Sequence, residues 1–181
     1  MSEVIKESSS SRQADSVTPE LEARADEIIS HYPVSRRSAA VPLLHLWQQE
    51  FGFVDDSATV WLAAKLEISP IDLYELLSFY PWFRREAAGK VVIRVCRTLS
   101  CALNGSHETH RKFCECTGVN PEAASHGFGA APPTSPDGKF SVEFVECLAS
   151  CGSGPAVLID DELHEKVKPE DVPALVERYS K

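Results

Sequence analysis

Two short stretches decide how this chain folds: Cys96-Arg97-Thr98-Leu99-Ser100-Cys101 and Glu146-Cys147-Leu148-Ala149-Ser150-Cys151-Gly152. The first pair of cysteines is separated by four residues and the second by three, with a long stretch between the pairs. Each pair follows an apolar, β-prone run: Val91-Val92-Ile93-Arg94-Val95 before Cys96, and Phe140-Ser141-Val142-Glu143-Phe144-Val145 before Cys147. Such runs read as strands, so one common sheet could carry both cysteine loops to the same place. The natural product is a site with four thiolate ligands: Cys96, Cys101, Cys147 and Cys151. Thiolates are soft donors that select iron-sulfur clusters, zinc or copper(I), and an all-cysteine set suits a closed site that carries electrons or holds structure.

Spacing alone leaves the metal open. Structural zinc accepts pairs separated by two to four residues. Zinc ribbons and fingers, however, mostly use tight gaps on domains too small to fold without metal, whereas 181 residues can bury a core of their own. A plant-type ferredoxin needs a third cysteine three positions after the second, and Asn104 stands there. A Rieske centre fails as well, because neither pair has a histidine placed as co-ligand. Disulfides are a further alternative. The chain opens Met1-Ser2-Glu3-Val4-Ile5-Lys6, without a charged-then-apolar leader. The expectation is therefore a reducing compartment, in which paired cysteines serve more often as ligands or redox groups than as bridges. The residues by themselves rank a two-iron cluster first, zinc second and disulfides third.

Composition narrows the class. With 43% apolar and 25% charged residues, the chain has the make-up of a soluble globular protein of one domain or two small ones. A net charge of −9 and the lack of a long Lys/Arg cluster argue against a nucleic-acid surface and against anionic lipid. No apolar run is long enough for a membrane span. Residues 1–17, rich in Ser, Glu and Lys, read as a disordered leader.

Residues 18–88 read as helices. Thr18-Pro19-Glu20 is an N-cap followed by proline at the first helical position, with Leu21, Ala25, Ile28 and Ile29 as the apolar stripe. A second helix starts near Ser38, carries Val41, Leu44, Trp47 and Phe51 inward, and stops at Gly52. A third spans 57–66. The fourth opens at Ser69-Pro70-Ile71-Asp72, a capping box, and runs towards Phe79-Tyr80-Pro81-Trp82-Phe83. Four short helices with short connections predict a small bundle. After Gly89 the period becomes strand-like, so 89–181 reads as an α/β domain: a strand over 91–95, a helix over 106–117, an exposed loop over 120–139, strands over 140–144 and 155–159 joined to a turn at 160–162, and a closing helix over 169–179. The fold class is α+β, a helical bundle followed by an α/β domain.

Several other motifs lead nowhere. Gly127-Phe128-Gly129 neither follows a strand nor opens a helix, so it is no dinucleotide loop. Neither a Ser/His/Asp nucleophile pattern nor Cys-x-x-Cys is present. Cys114 and Cys116 fall on the 106–117 helix, two apart, so one should be buried and the other exposed. His107, His110 and Cys114 share helical spacing, but a polar face explains them better than a second metal site, since the His-Glu-x-x-His pattern of a catalytic zinc helix is missing.

With these cysteines, Phe79-Tyr80-Pro81-Trp82-Phe83, Asp137-Gly138-Lys139-Phe140, Glu146 to Gly152, and Leu43-Leu44-His45-Leu46-Trp47-Gln48-Gln49-Glu50-Phe51-Gly52 in order, the chain resembles the thioredoxin-like [2Fe-2S] subunits of bacterial respiratory complex I, the E subunits of NADH:quinone oxidoreductase. The resemblance runs from about Pro33 to Tyr179. It implies a thioredoxin-like [2Fe-2S] ferredoxin domain behind the bundle, with one cluster held by Cys96, Cys101, Cys147 and Cys151. It also implies electron transfer near an FMN that, like the NADH site, belongs to a partner, the F subunit, with a further iron-sulfur subunit beside it. The implied place is the cytoplasmic face of the plasma membrane, peripheral to it. The same pattern fits the diaphorase subunit of an NAD-linked hydrogenase or formate dehydrogenase, and a zinc-stabilised adaptor is the alternative of another class. Three departures stand out: Ala149 where such subunits carry Gly, Gly154 where they carry Ala, and a longer gap between the pairs, placed at 121–136. The loops after Cys96 and Cys147 are expected to offer backbone N–H groups to sulfur, while Glu146 is expected to form a structural salt bridge.

Overall fold

The computed structural model describes residues 13–123 and 130–180. The chain divides between Glu86 and Ala87 into two compact units.

The first unit is helical: α1 Pro19–Ser30, α2 Ala40–Phe51, α3 Asp56–Leu66 and α4 Pro70–Phe79. Its helices begin where the sequence supplies acceptors for the free N–H groups of a first turn. The Thr18 hydroxyl accepts from the Leu21 N–H at 3.2 Å, Asp55 Oδ1 accepts from the Ala58 N–H at 2.7 Å, and Ser69 and Asp72 form the expected capping box. Gly52, at φ 82°, ends α2 in the left-handed conformation that glycine adopts without steric cost. Leu21, Ala25, Leu43, Leu44, Trp47, Leu62, Leu66, Leu73, Leu77 and Phe83 form one buried cluster. On α2 the buried stripe runs through Ala40, Leu43, Leu44 and Trp47, while Val41 and Phe51, expected inside, are only partly covered.

The leader reading needs correction. Residues 1–12 lie outside the described residues, but Gln13–Ser16 forms a 3₁₀ turn. Trp47 Nε1–H, in the core, donates to Gln13 Oε1 at 2.8 Å, the Asp55 N–H donates to the same oxygen at 3.2 Å, and the Gln13 N–H donates to Asp55 Oδ2 at 3.2 Å. A buried indole N–H needs an acceptor, and this polar segment supplies it. Composition reported the polarity of the segment but not its partner.

The second unit holds a four-stranded sheet in the order β2-β1-β3-β4, formed by Phe140–Val145, Val91–Cys96, Val157–Ile159 and Glu162–His164. β1 pairs in parallel with β2, from Val91 opposite Phe140 to Cys96 opposite Val145. β3 is antiparallel to both β1 and β4. Helices α5 Leu99–Leu103, α6 Ser106–Thr117 and α7 Val172–Tyr179 complete the unit. Ile93, Val95, Phe113, Val142, Val157, Ile159 and Val172 form its core. Gly89 leads into β1 where a side chain could not fit: a Cβ there would come within 2.7 Å of the Phe140 carbonyl carbon. The turn expected at 160–162 is a tight connection into β4, an edge strand too short to show a period, and α5 is likewise too short to show one. The closing helix expected over 169–179 begins as a 3₁₀ turn, Pro169–Asp171, before α7.

The loop expected over 120–139 is less exposed than its composition implied. Its residues 124–129, with Gly127-Phe128-Gly129 and part of the proposed insertion, lie outside the described residues. Beyond them the Val142 N–H donates to the Pro133 carbonyl at 3.0 Å and the Ser135 N–H to the Phe140 carbonyl at 2.8 Å, so this segment covers the outer edge of β2. An unpaired sheet edge exposes a row of donors and acceptors, and the Pro- and Ser-rich loop satisfies them.

Trp47, Trp61 and Trp82 are the three tryptophans of the chain, and all lie in the first unit. Urea unfolding read by tryptophan fluorescence should show Gln13→Ala destabilising this unit by about 1–2 kcal/mol, the cost of an unpaired buried donor. An unchanged midpoint would return residues 13–17 to the leader.

Candidate metal centre

Parallel pairing decides where the cysteines go. Strands running side by side in one direction end on the same edge of a sheet. Cys96 is the last residue of β1 and pairs with Val145, the last of β2, so the two cysteine loops leave the sheet as neighbours. The loops are then tied across: the Arg97 N–H donates to the Val145 carbonyl at 3.0 Å, Ser100 Oγ–H donates to the Cys151 carbonyl at 2.5 Å, and the Arg97 guanidinium meets Glu146 Oε1 at 2.6 Å. Both members of that ion pair are more than half exposed, so it orients the loops and contributes little stability.

Cys96 and Cys101 are buried, Cys147 and Cys151 exposed. The sulfurs of Cys147 and Cys151 lie 3.5 Å apart. Cys96 and Cys101 pack with Ala156 in one buried cluster. The neighbouring strand ends and the ties between the loops place the two cysteine pairs at one end of the sheet. Among the described residues, no three or more Cys, His, Asp or Glu side chains close on a point that would suit a single metal ion. A tetrahedral zinc site, with Zn–S near 2.3 Å, would draw all its sulfurs within about 3.8 Å of each other. Two thiol pairs on neighbouring loops can offer two sulfurs to each metal of a two-metal core.

Hydrogen bonds sort the thiols. Burial acts to raise the Cys96 thiol pKa, but the Thr98 hydroxyl and the Leu148 and Thr98 amides outweigh it, and the net direction is down. Cys147 is lowered by the Ala149 amide, which donates to its sulfur at 3.3 Å, and by Cys151. Cys101 is raised, by burial first and by its neighbour Cys96, against a donor at Ala156. Cys151 is raised by Cys147, through both hydrogen bonding and charge. Each pair thus holds one sulfur better prepared for negative charge than the other. Amide donors to sulfur are what a thiolate-bound cluster requires. The donor set and its surroundings fit the group that the resemblance implies.

Both departures beside the second pair have structural counterparts. Ala149 sits at φ 61°, in the left-handed region that glycine enters freely and alanine at a cost. That conformation accompanies the donation of its N–H to Cys147. At Gly154 an added Cβ would stand 3.2 Å from Cys101 Sγ, so alanine there would press on that sulfur.

The His107, His110 and Cys114 set is packing. The His110 ring stacks on Phe144 at 3.8 Å between centroids, His107 lies tilted against the same ring, and Cys114 Sγ is 3.8 Å from His110 Nδ1. Burial, aided by His107, lowers the His110 pKa to about 4, and burial raises the Cys114 thiol to about 11. Cys114 is buried and Cys116 exposed, as their spacing on a helix requires. Phe144 lies in β2, so this stack supports the strand that delivers Cys147. Sequence reading missed the part played by Thr98 and Ser100, whose only signal was the placement of hydroxyl residues inside a cysteine loop.

Two results should follow. Replacing Ala149 by Gly should raise the unfolding free energy by about 0.5–1 kcal/mol, relief of the left-handed strain less the entropy of the unfolded glycine. A loss of stability would contradict the strain. His110 binds its proton more weakly folded than unfolded, so its contribution is complete above pH ~6.5 and is lost as pH falls towards 4. Between pH 7.5 and 4.5 the wild type should lose roughly 2 kcal/mol more than His110→Phe in urea unfolding followed by circular dichroism. Equal losses would show that the imidazole is not held neutral.

Comparison with known proteins agrees with this geometry. Residues 25–180 match the family described as thioredoxin-like [2Fe-2S] ferredoxin. The chain is 34% identical over 156 residues to the E subunit of the NADH-quinone oxidoreductase of Rickettsia bellii, an alignment covering 85% of this chain and 87% of that protein. It is also 34% identical over 138 residues to NADH-quinone oxidoreductase subunit 2 of Thermus thermophilus, covering 76% of this chain and 71% of that one. Among solved structures, an NAD+-reducing [NiFe]-hydrogenase in the air-oxidized state superposes with a TM-score of 0.57 at 17% identity, over 95% of this chain and 24% of the other, a likeness of fold alone. A match running from the first helix to the last, over both cysteine loops, makes this chain a member of the thioredoxin-like [2Fe-2S] ferredoxin family.

Proposed function

We propose that this chain is the electron-transfer subunit of an NADH-quinone oxidoreductase, the counterpart of the E subunit of such complexes, and that Cys96, Cys101, Cys147 and Cys151 hold its one [2Fe-2S] cluster. The observation that carries the reading is the two-by-two arrangement of thiols at the shared end of β1 and β2. Relatives about one third identical over most of the chain support the assembly. When bound, the cluster supplies a one-electron couple, with about two negative charges when oxidised and about three when reduced. The residues tune that couple: burial of Cys96 and Cys101 disfavours added charge, while amides at Leu148, Ala149 and Ala156 stabilise it.

The partner in this reading is the FMN- and NADH-binding F subunit, flanked by a further iron-sulfur subunit. An electron from reduced flavin is accepted and returned. In this reading NADH and FMN are both bound by that partner. Helices α1–α4 act as a four-helix bundle that docks the ferredoxin unit on its partner. No helix among the described residues is long and apolar enough to cross a membrane, which suits a peripheral subunit on the inner face of the plasma membrane. The relatives' names favour this setting over the corresponding diaphorase of a hydrogenase or formate dehydrogenase.

Anaerobically loaded protein should carry iron and labile sulfide in equal amounts, bleach with dithionite and then give a rhombic electron paramagnetic resonance signal. Cys→Ser at 96, 101, 147 or 151 should lower iron content or alter that signal, whereas Cys114→Ser and Cys116→Ser should leave both unchanged. The chain alone should not turn over NADH with an artificial acceptor. Bound zinc, iron retained with an unaltered signal in all four ligand variants, or NADH turnover by the chain alone would each defeat the reading.

A further inference from the structure

Thr98 stands at the N-cap of α5, where a threonine hydroxyl ordinarily accepts a hydrogen bond from the first turn. Here the side chain makes no capping bond. Its Oγ1 lies instead 3.2 Å from Cys96 Sγ. A threonine that gives up its cap does so for a better partner. Against a thiol either atom could donate, but a metal-bound thiolate has no proton, so the Thr98 O–H must then be the donor.

We propose that the Thr98 hydroxyl is a positioning and tuning residue, donating its hydrogen bond to Cys96 Sγ and thereby favouring the reduced cluster. The inference rests on the ligand assignment above. A donor stabilises negative charge on sulfur, and reduction adds one such charge, so the bond is stronger in the reduced state and raises the midpoint potential. Backbone amides to the same sulfur are fixed by the fold. The hydroxyl is the donor that sequence can change, and valine matches its shape without the proton.

The test uses the full chain, loaded with iron and sulfide, as wild type, Thr98→Val and Thr98→Ser, with iron and sulfide content and an electron paramagnetic resonance-monitored redox titration for each. Thr98→Val should hold its cluster at a lower midpoint potential with altered g-values, and Thr98→Ser should restore both. Loss of the cluster in Thr98→Val with full loading of Thr98→Ser would equally support the hydroxyl, since the methyl group is what serine lacks. An unchanged potential in Thr98→Val, or the same shift or loss in both variants, would overturn the proposal. A wild type that takes up no two-iron cluster would instead overturn the ligand assignment beneath it.

Discussion

Everything in the second unit depends on the parallel pairing of β1 with β2 and on its register. Parallel strands end on one edge of a sheet, and the register sets Cys96 beside Val145, two residues before Cys147. A slip of one residue would turn every β2 side chain to the opposite face. Phe144 would leave its stack with His110, and the second cysteine loop would start on the wrong side of the sheet. The core pins the register through Val142, Phe140 and Ile93, while Gly89 allows β2 to approach where any side chain would collide. The site is thus a consequence of apolar packing rather than of metal-driven folding, unlike a zinc finger.

Within that frame the loops do the chemistry by placing donors. The Ala149 amide donates to Cys147 and the Thr98 hydroxyl lies against Cys96, the two sulfurs whose thiol pKa values are lowered while those of their pair partners are raised. The left-handed Ala149 shows what the arrangement costs. Backbone held in an unfavourable region persists where its surroundings over-determine it, and here it accompanies an N–H aimed at Cys147. Gly154 meets the complementary need by leaving room beside Cys101.

Much of this was legible in the residues. Caps at Thr18 and Ser69 and the stop at Gly52 mark helices, because capping is a local interaction between near neighbours. The apolar run before Cys96 and the alternation before Cys147 mark the two strands, and the spacing of the thiols marks the centre. What could not be read was non-local. The acceptor role of Gln13 depends on Trp47, 34 positions away. The covering of the β2 edge by Pro133 and Ser135 depends on backbone groups that any residue could offer. α5, with five residues, and β4, with three, are too short to repeat a pattern. Resemblance named the ligands, and the geometry of the described residues explains why those four can meet.

Iron K-edge X-ray absorption of the loaded chain tests the central claim most directly. The account predicts a first shell made of sulfur alone, with a second iron scattering from the next shell, because two thiol pairs on neighbouring loops hold two bridged metals. A first shell containing nitrogen or oxygen, or sulfur-bound metal with no neighbouring metal, would contradict it.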